Sequence, residues 1–186
     1  WAAVPNFFFV TGGLMHQSKE LQWKKYLTKL FRAYIVLCVW KLLYLLFYST
    51  FQEVTFSKTD LIEYLFVFGD ISGVDAGHIW FMYAYLFVLL FYPASWFLFK
   101  NGKNGRLILI YLAGILFAGT FLVSAGNFIF KLISDITGLN QLSISVSAVF
   151  PFGRYANTLF FFIAGGFLLA YREKIKDFMK TRHLNI

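Results

Sequence analysis

The sequence predicts an all-α fold, a polytopic membrane bundle of about five transmembrane helices joined by short interfacial or re-entrant helices. Composition is the first observation behind this: 59% of residues are hydrophobic and 22% aromatic against 14% charged, far from the averages of a soluble domain. The second is a series of apolar runs of near-spanning length, and the third is the alternating charge of the segments between them. The 186 residues have room for one such bundle, a single transmembrane domain over 1–186, and none for a second.

The first run, residues 2–15, reads "AAVPNFFFVTGGLM" and is short for a span. Thr11, Gly12 and Gly13 give it a small-residue patch where another helix can approach closely. Residues 16–32 follow with Lys19, Lys24, Lys25, Lys29 and Arg32 against Glu20, and then the second run covers 33–50. Residues 51–77 are acidic, with Glu53, Asp60, Glu63, Asp70 and Asp75 against Lys58. Within them "DLIEYLFVFG" reads as a short helix with Asp60 as N-cap, Glu63 at the capping-box position and Gly69 at its end.

The third run is 79–99 and the fourth 107–124, separated by the basic turn "KNGKNGR". Residues 125–154 are nearly neutral and hold a second short amphipathic piece, "NFIFKLISDITG". The fifth run, 155–171, leads into a basic tail, "YREKIKDFMKTRH". Basic segments belong on the cytoplasmic side, so the alternation places Trp1 outside and Ile186 in the cytoplasm. No internal repeat and no low-complexity tract is evident. The opening at Trp1, with no signal-peptide pattern, reads as that of a fragment or a processed product.

Several classes are excluded. The net charge of +8 sits between apolar runs and not on one amphipathic face, which argues against nucleic acid. Cys38 is the only cysteine and lies in an apolar run, so no intrachain disulfide and no cysteine-based zinc site is expected. No metal motif, phosphate loop or nucleophile elbow occurs.

Candidate site residues come from charge and spacing. Lys25, Lys29 and Arg32 fall four and three apart, on one helical face. Such a face holds anionic lipid headgroups, the more frequent case, or the phosphates of a nucleotide-bearing substrate. Lys41 lies nine positions beyond Arg32, about 13 Å deeper along a helix, where a bare ammonium costs at least about 2.5–3.5 kcal/mol. It is expected to face a polar cavity or a carboxylate, the alternative being to snorkel. His16 ends the first run and reads first as a surface histidine. His78 and Trp80 open the third run on the outer side, where they serve as an interfacial anchor or meet a polar ligand.

The order of motifs resembles the acyltransferase-3 family of membrane-embedded O-acyltransferases. "PNFFFVTGGLM", "KKYLTKLFRAYIV", "GHIWFMYAYLFVLLFYP" and "YANTLFFFIAGGFLLAYREK" follow that family's succession. Its Phe-Phe-x-x-Ser-Gly helix is matched by Phe8, Phe9, Thr11 and Gly12, with Thr in place of Ser. Its Arg-x-x-Arg is matched by Lys29 and Arg32, its His-x-Trp-Phe by His78, Trp80 and Phe81, and its Phe-Phe-x-x-Gly by Phe161, Phe162, Gly165 and Gly166.

The resemblance implies transfer of an acyl group, commonly acetyl from acetyl-CoA, to a hydroxyl of a sugar or of a bacterial cell-envelope or exopolysaccharide glycan. It implies an inner (plasma) membrane location, no tightly bound cofactor, and acyl-CoA, the glycan acceptor and the lipid bilayer as partners. It also implies a preceding helix bearing the catalytic histidine, so that this chain corresponds to a middle portion. Further helices of the protein or a homo-oligomer would then be its neighbours. In that setting Lys25, Lys29 and Arg32 meet the coenzyme A phosphates. His78, Trp80 and Lys41 belong to the acceptor or its cavity, and His16 is a candidate substitute base. The alternative is a non-catalytic component of polysaccharide transport or assembly.

Overall fold

A computed structural model describes residues 3–52, 56–66, 79–138 and 155–181, of 178–181 the backbone alone. The elements in order are α1 (Ala3–His16), α2 (Trp23–Phe51), α3 (Lys58–Phe66), α4 (Trp80–Lys100), α5 (Gly102–Phe117), a π-helical turn (Ala118–Leu122), α6 (Val123–Thr137), α7 (Ala156–Ala170) and α8 (Arg172–Thr181). No strand occurs among the described residues, and the chain is an all-α, multi-pass membrane protein. α2, α4 and the unbroken run Gly102–Thr137 are long and apolar enough to cross a bilayer, and α7 is a shorter apolar helix. The chain groups into two compact units, Trp1–Glu20 with Phe91–Ile186 and Leu21–Leu90, so the division falls within α4.

In the first unit the most extensive helix pairing described is α1 on α7. It rests on a pattern present twice, "FFFVTGG" at 7–13 and "FFFIAGG" at 160–166, so the chain does hold a short internal repeat, contrary to the expectation of none. The packing is reciprocal. A Cβ on Gly12 would come within 2.6 Å of the Phe162 carbonyl carbon, and one on Gly165 within 2.7 Å of the Phe9 carbonyl carbon. Gly13 faces Gly165 and Leu169, and Gly166 faces His16.

The run from Gly102 to Thr137 has 36 residues, about 54 Å of helix, more than the roughly 30 Å hydrocarbon layer needs. The sequence suggests a span ending near residue 124 and a separate amphipathic piece from Asn127; the structure joins them. Nothing between them stops a helix, since Gly126 is tolerated in open space. The join is the π turn, where Thr120 Oγ1 donates to the Leu116 carbonyl at 2.6 Å and Ser124 Oγ to the Thr120 carbonyl at 2.7 Å. Gly138, at φ +69°, ends the helix with its N–H on the Ser134 carbonyl at 2.9 Å.

In the second unit α3 docks on α2. Its N-terminal box is Ser57 with Asp60, and not Asp60 with Glu63: the Ser57 N–H donates to Asp60 Oδ2 at 3.2 Å, and the Asp60 N–H to Ser57 Oγ at 3.1 Å. Ser57 and Asp60 have the same i, i+3 spacing as Asp60 and Glu63, so the box forms one turn earlier than expected. The Gly69 stop expected from the sequence lies outside the described residues. The side chains of Leu45 and Tyr64 form the buried centre, with Tyr44, Tyr48, Phe56, Leu61 and Leu65 packed around them.

Candidate functional site

The C-terminal end of a helix leaves carbonyls without intrahelical partners. At the end of α3 three successive carbonyls are met from one stripe of α2, at positions four and three apart. Tyr34 Oη donates to the Phe66 carbonyl at 3.4 Å, Cys38 Sγ lies 3.6 Å from the Leu65 carbonyl as a weak donor, and Lys41 Nζ donates to the Tyr64 carbonyl. Lys41 is 1% exposed, and its ammonium also sits over the rings of Tyr64 at 4.9 Å and Tyr83 at 5.1 Å. A carbonyl at the negative end of a helix and two ring faces offset part of the desolvation of the charge. The side chain therefore does not snorkel; it closes the end of α3.

The basic face is also on α2. Its first turns begin ten residues before the apolar run, so Lys25, Lys29 and Arg32 are all helical and all exposed. The buried side of the same turns carries Tyr26, Ala33 and Leu37. Tyr26 Oη donates at 3.2 Å to the Leu89 carbonyl, the one that Pro93, four residues on and lacking an N–H, leaves open. Lys29 lies over the Tyr85 ring at 5.9 Å. Trp80 opens α4, partly buried and edge-on to Phe81 at 6.4 Å. His78 lies outside the described residues.

His16 is in the other unit, and it is not a surface histidine: 1% of it is exposed. Its Nδ1 is 2.7 Å from the Gly12 carbonyl, an acceptor only, so Nδ1 carries the proton and Nε2 faces Ser95 Oγ at 3.1 Å. The Ser95 hydroxyl is also 2.9 Å from the Tyr92 carbonyl and has one proton for two acceptors. The ring packs against Phe162 at 4.9 Å and Phe99 at 5.1 Å, and Gly166 leaves the room it fills, since a Cβ there would stand 2.8 Å from Nδ1. α4 closes the end of α1: Tyr92 Oη donates to the Met15 carbonyl at 3.0 Å and Trp96 Nε1 to the Ser18 carbonyl at 3.1 Å. A His–Ser pair has the elements of a base and a nucleophile. Both side chains are enclosed here, and the arrangement locks α1 to α4 and α7. Ser95 escapes a sequence reading because a single serine in an apolar run carries no spacing signal; the paired Gly-Gly patterns were the available clue to the burial of His16.

No group of three or more potential metal ligands occurs among the described residues. A family model described as an acyltransferase domain, that of acyltransferase family 3, matches residues 2–186. No curated protein matches the chain, and no solved structure does.

Proposed function

The chain belongs to the acyltransferase-3 family and is a membrane acyltransferase, and on that premise we propose that it moves an acetyl group from acetyl-CoA to a hydroxyl of a sugar or cell-envelope glycan. The observation that carries the donor half is the exposed face of Lys25, Lys29 and Arg32 at the start of α2. Coenzyme A brings a diphosphate and a 3′-phosphate, which need fixed positive charge; Arg32 offers a two-pronged fork and the lysines point charges. In the reaction the acceptor oxygen bonds to the acetyl carbonyl carbon, the thioester C–S bond breaks, and the hydroxyl proton ends on the departing sulfur.

The acceptor is proposed to reach His78 and Trp80 from the outer side, with the Lys41 region forming the wall of its cavity. The membrane is the inner (plasma) membrane, with the start of the chain outside and its end cytoplasmic, as the basic turn 100–106 and basic tail suggest. His16, enclosed as it is, supports α1 in this reading and reaches substrate only if α7 moves. The test is transfer of radiolabelled acetyl from acetyl-CoA by membranes containing the complete protein. Label in a glycan fraction supports the reading. Binding of acetyl-CoA without any transfer would favour a non-catalytic component of polysaccharide export or assembly.

A further inference from the structure

A second group of cations gathers in the unit that holds His16. The turn between α4 and α5 is tight, with Gly102 at φ +68° and Gly105 so close to the Leu98 carbonyl that no side chain fits there. This folds Arg106 back on the end of α4. Its Nε donates to the Phe99 carbonyl at 3.2 Å, its guanidinium lies 5.4 Å from the centre of the Phe99 ring, and Nη1 donates to Tyr171 Oη at 3.4 Å. Tyr171, at the junction of α7 and α8, has Lys174 over its ring at 5.7 Å. Lys103 is exposed one turn before Arg106 on the same face of α5.

Two elements, α5 and α8, thus bring Lys103, Arg106 and Lys174 to one end of the unit. The ion pair of Lys176 with Glu173 on α8, at 3.3 Å, engages none of the three. Arg106 is only partly buried, and two of its five N–H donors account for the hydrogen bonds described. A guanidinium held by a carbonyl, a hydroxyl and a ring has already lost its freedom, so little more is lost when its outer edge meets an oxyanion.

We propose that Arg106, with Lys103 and Lys174, forms a binding site for a phosphate group, either the 3′-phosphate of an acyl-CoA donor or the phosphodiester of an anionic lipid headgroup. The donor branch rests on the acyl-CoA reading above and moves the 3′-phosphate here from the face of α2; the lipid branch does neither.

The complete protein in phosphatidylcholine nanodiscs separates the two. If the site takes the donor, Arg106→Gln weakens acetyl-CoA about tenfold, whereas 3′-dephospho-acetyl-CoA binds wild type and variant alike. If it takes lipid, acetyl-CoA affinity is unchanged, but the thermal stabilisation gained when phosphatidylglycerol replaces part of the phosphatidylcholine is lost in Arg106→Gln. Should Arg106→Gln fail to insert, the double variant Lys103→Gln with Lys174→Gln, which removes two rim charges and no hydrogen bond of Arg106, gives the same readings. Lys58→Gln, an equal change of charge elsewhere, serves as control. Acetyl-CoA affinity and phosphatidylglycerol response both equal to wild type would overturn the site. Absence of acetyl-CoA binding by wild type would refute the donor reading and leave the lipid measurement to decide this one.

Discussion

Replacing Gly12 by Ala adds one methyl group where α1 meets α7, and the structure sets what that costs. The new carbon would stand 2.6 Å from the Phe162 carbonyl carbon. Ordinary carbon contacts begin near 3.5 Å, and the Phe162 carbonyl oxygen lies nearer still, so the helices must part by at least about 1 Å, a gap that forfeits a quarter to a half of each contact across the seam. The obstacle is backbone on both sides, so no side chain can swing away. Overpacking of this kind costs about 1–3 kcal/mol, and the upper end, about 3 kcal/mol, is expected here. Gly114→Ala and Gly126→Ala are the controls, because nothing lies within 4 Å of a Cβ at either; each should gain about 0.5–1 kcal/mol from helix propensity. Thermal unfolding of the purified protein in one detergent should place Gly12→Ala about 6–12 °C below wild type, with both controls at or above it. Gly165→Ala, its counterpart in the repeat, should match Gly12→Ala. If Gly12→Ala melts with the controls, α1 and α7 do not approach as described.

Three further outcomes follow from the same contacts. Lys41→Met removes a donor and the Tyr64 ring contact from the end of α3, and the Tyr83 ring contact from α4, together about 2 kcal/mol, so a cysteine at Leu45, buried against Tyr64, should label tenfold or more faster while insertion is unimpaired; an unchanged rate would mean that α3 is held by other means. A double-mutant cycle of His16→Asn and Ser95→Ala should show coupling of about 1 kcal/mol in unfolding, and additivity would remove their bond. Lys103→Cys should react with an impermeant maleimide only in opened cells and Lys58→Cys in intact ones, as the alternating charges require; the reverse would invert the topology.

What the sequence discloses and what it hides divide along physical lines. Apolar runs are long-range averages, so α1, α4 and α7 are found within a residue or two of the expected limits. The start of α2 is also legible in the spacing of Lys25, Lys29 and Arg32. Continuity through the π turn is not, because a change from all-round apolar to amphipathic at residue 123 looks like a boundary when no breaker marks one. The burial of His16 is hidden for another reason. Beside it in sequence stand Gln17, Ser18 and Lys19, while the space it fills is set by Gly166, 150 positions away. Lys41 was legible as a charge needing a partner, but its partner is a backbone carbonyl, and any residue supplies one of those.

The central claim, a coenzyme A donor held on the basic face of α2, is tested most directly by acetyl-CoA binding to the complete protein at fixed salt, comparing wild type with Arg32→Lys and Arg32→Ala. Arg32→Lys keeps the charge and loses the fork, so affinity should fall about tenfold, and further in Arg32→Ala. Attraction to lipid headgroups depends on charge and distance and would barely register the first exchange. Equal binding by all three proteins, or no binding by any, would contradict the claim and leave Lys25, Lys29 and Arg32 as a headgroup contact.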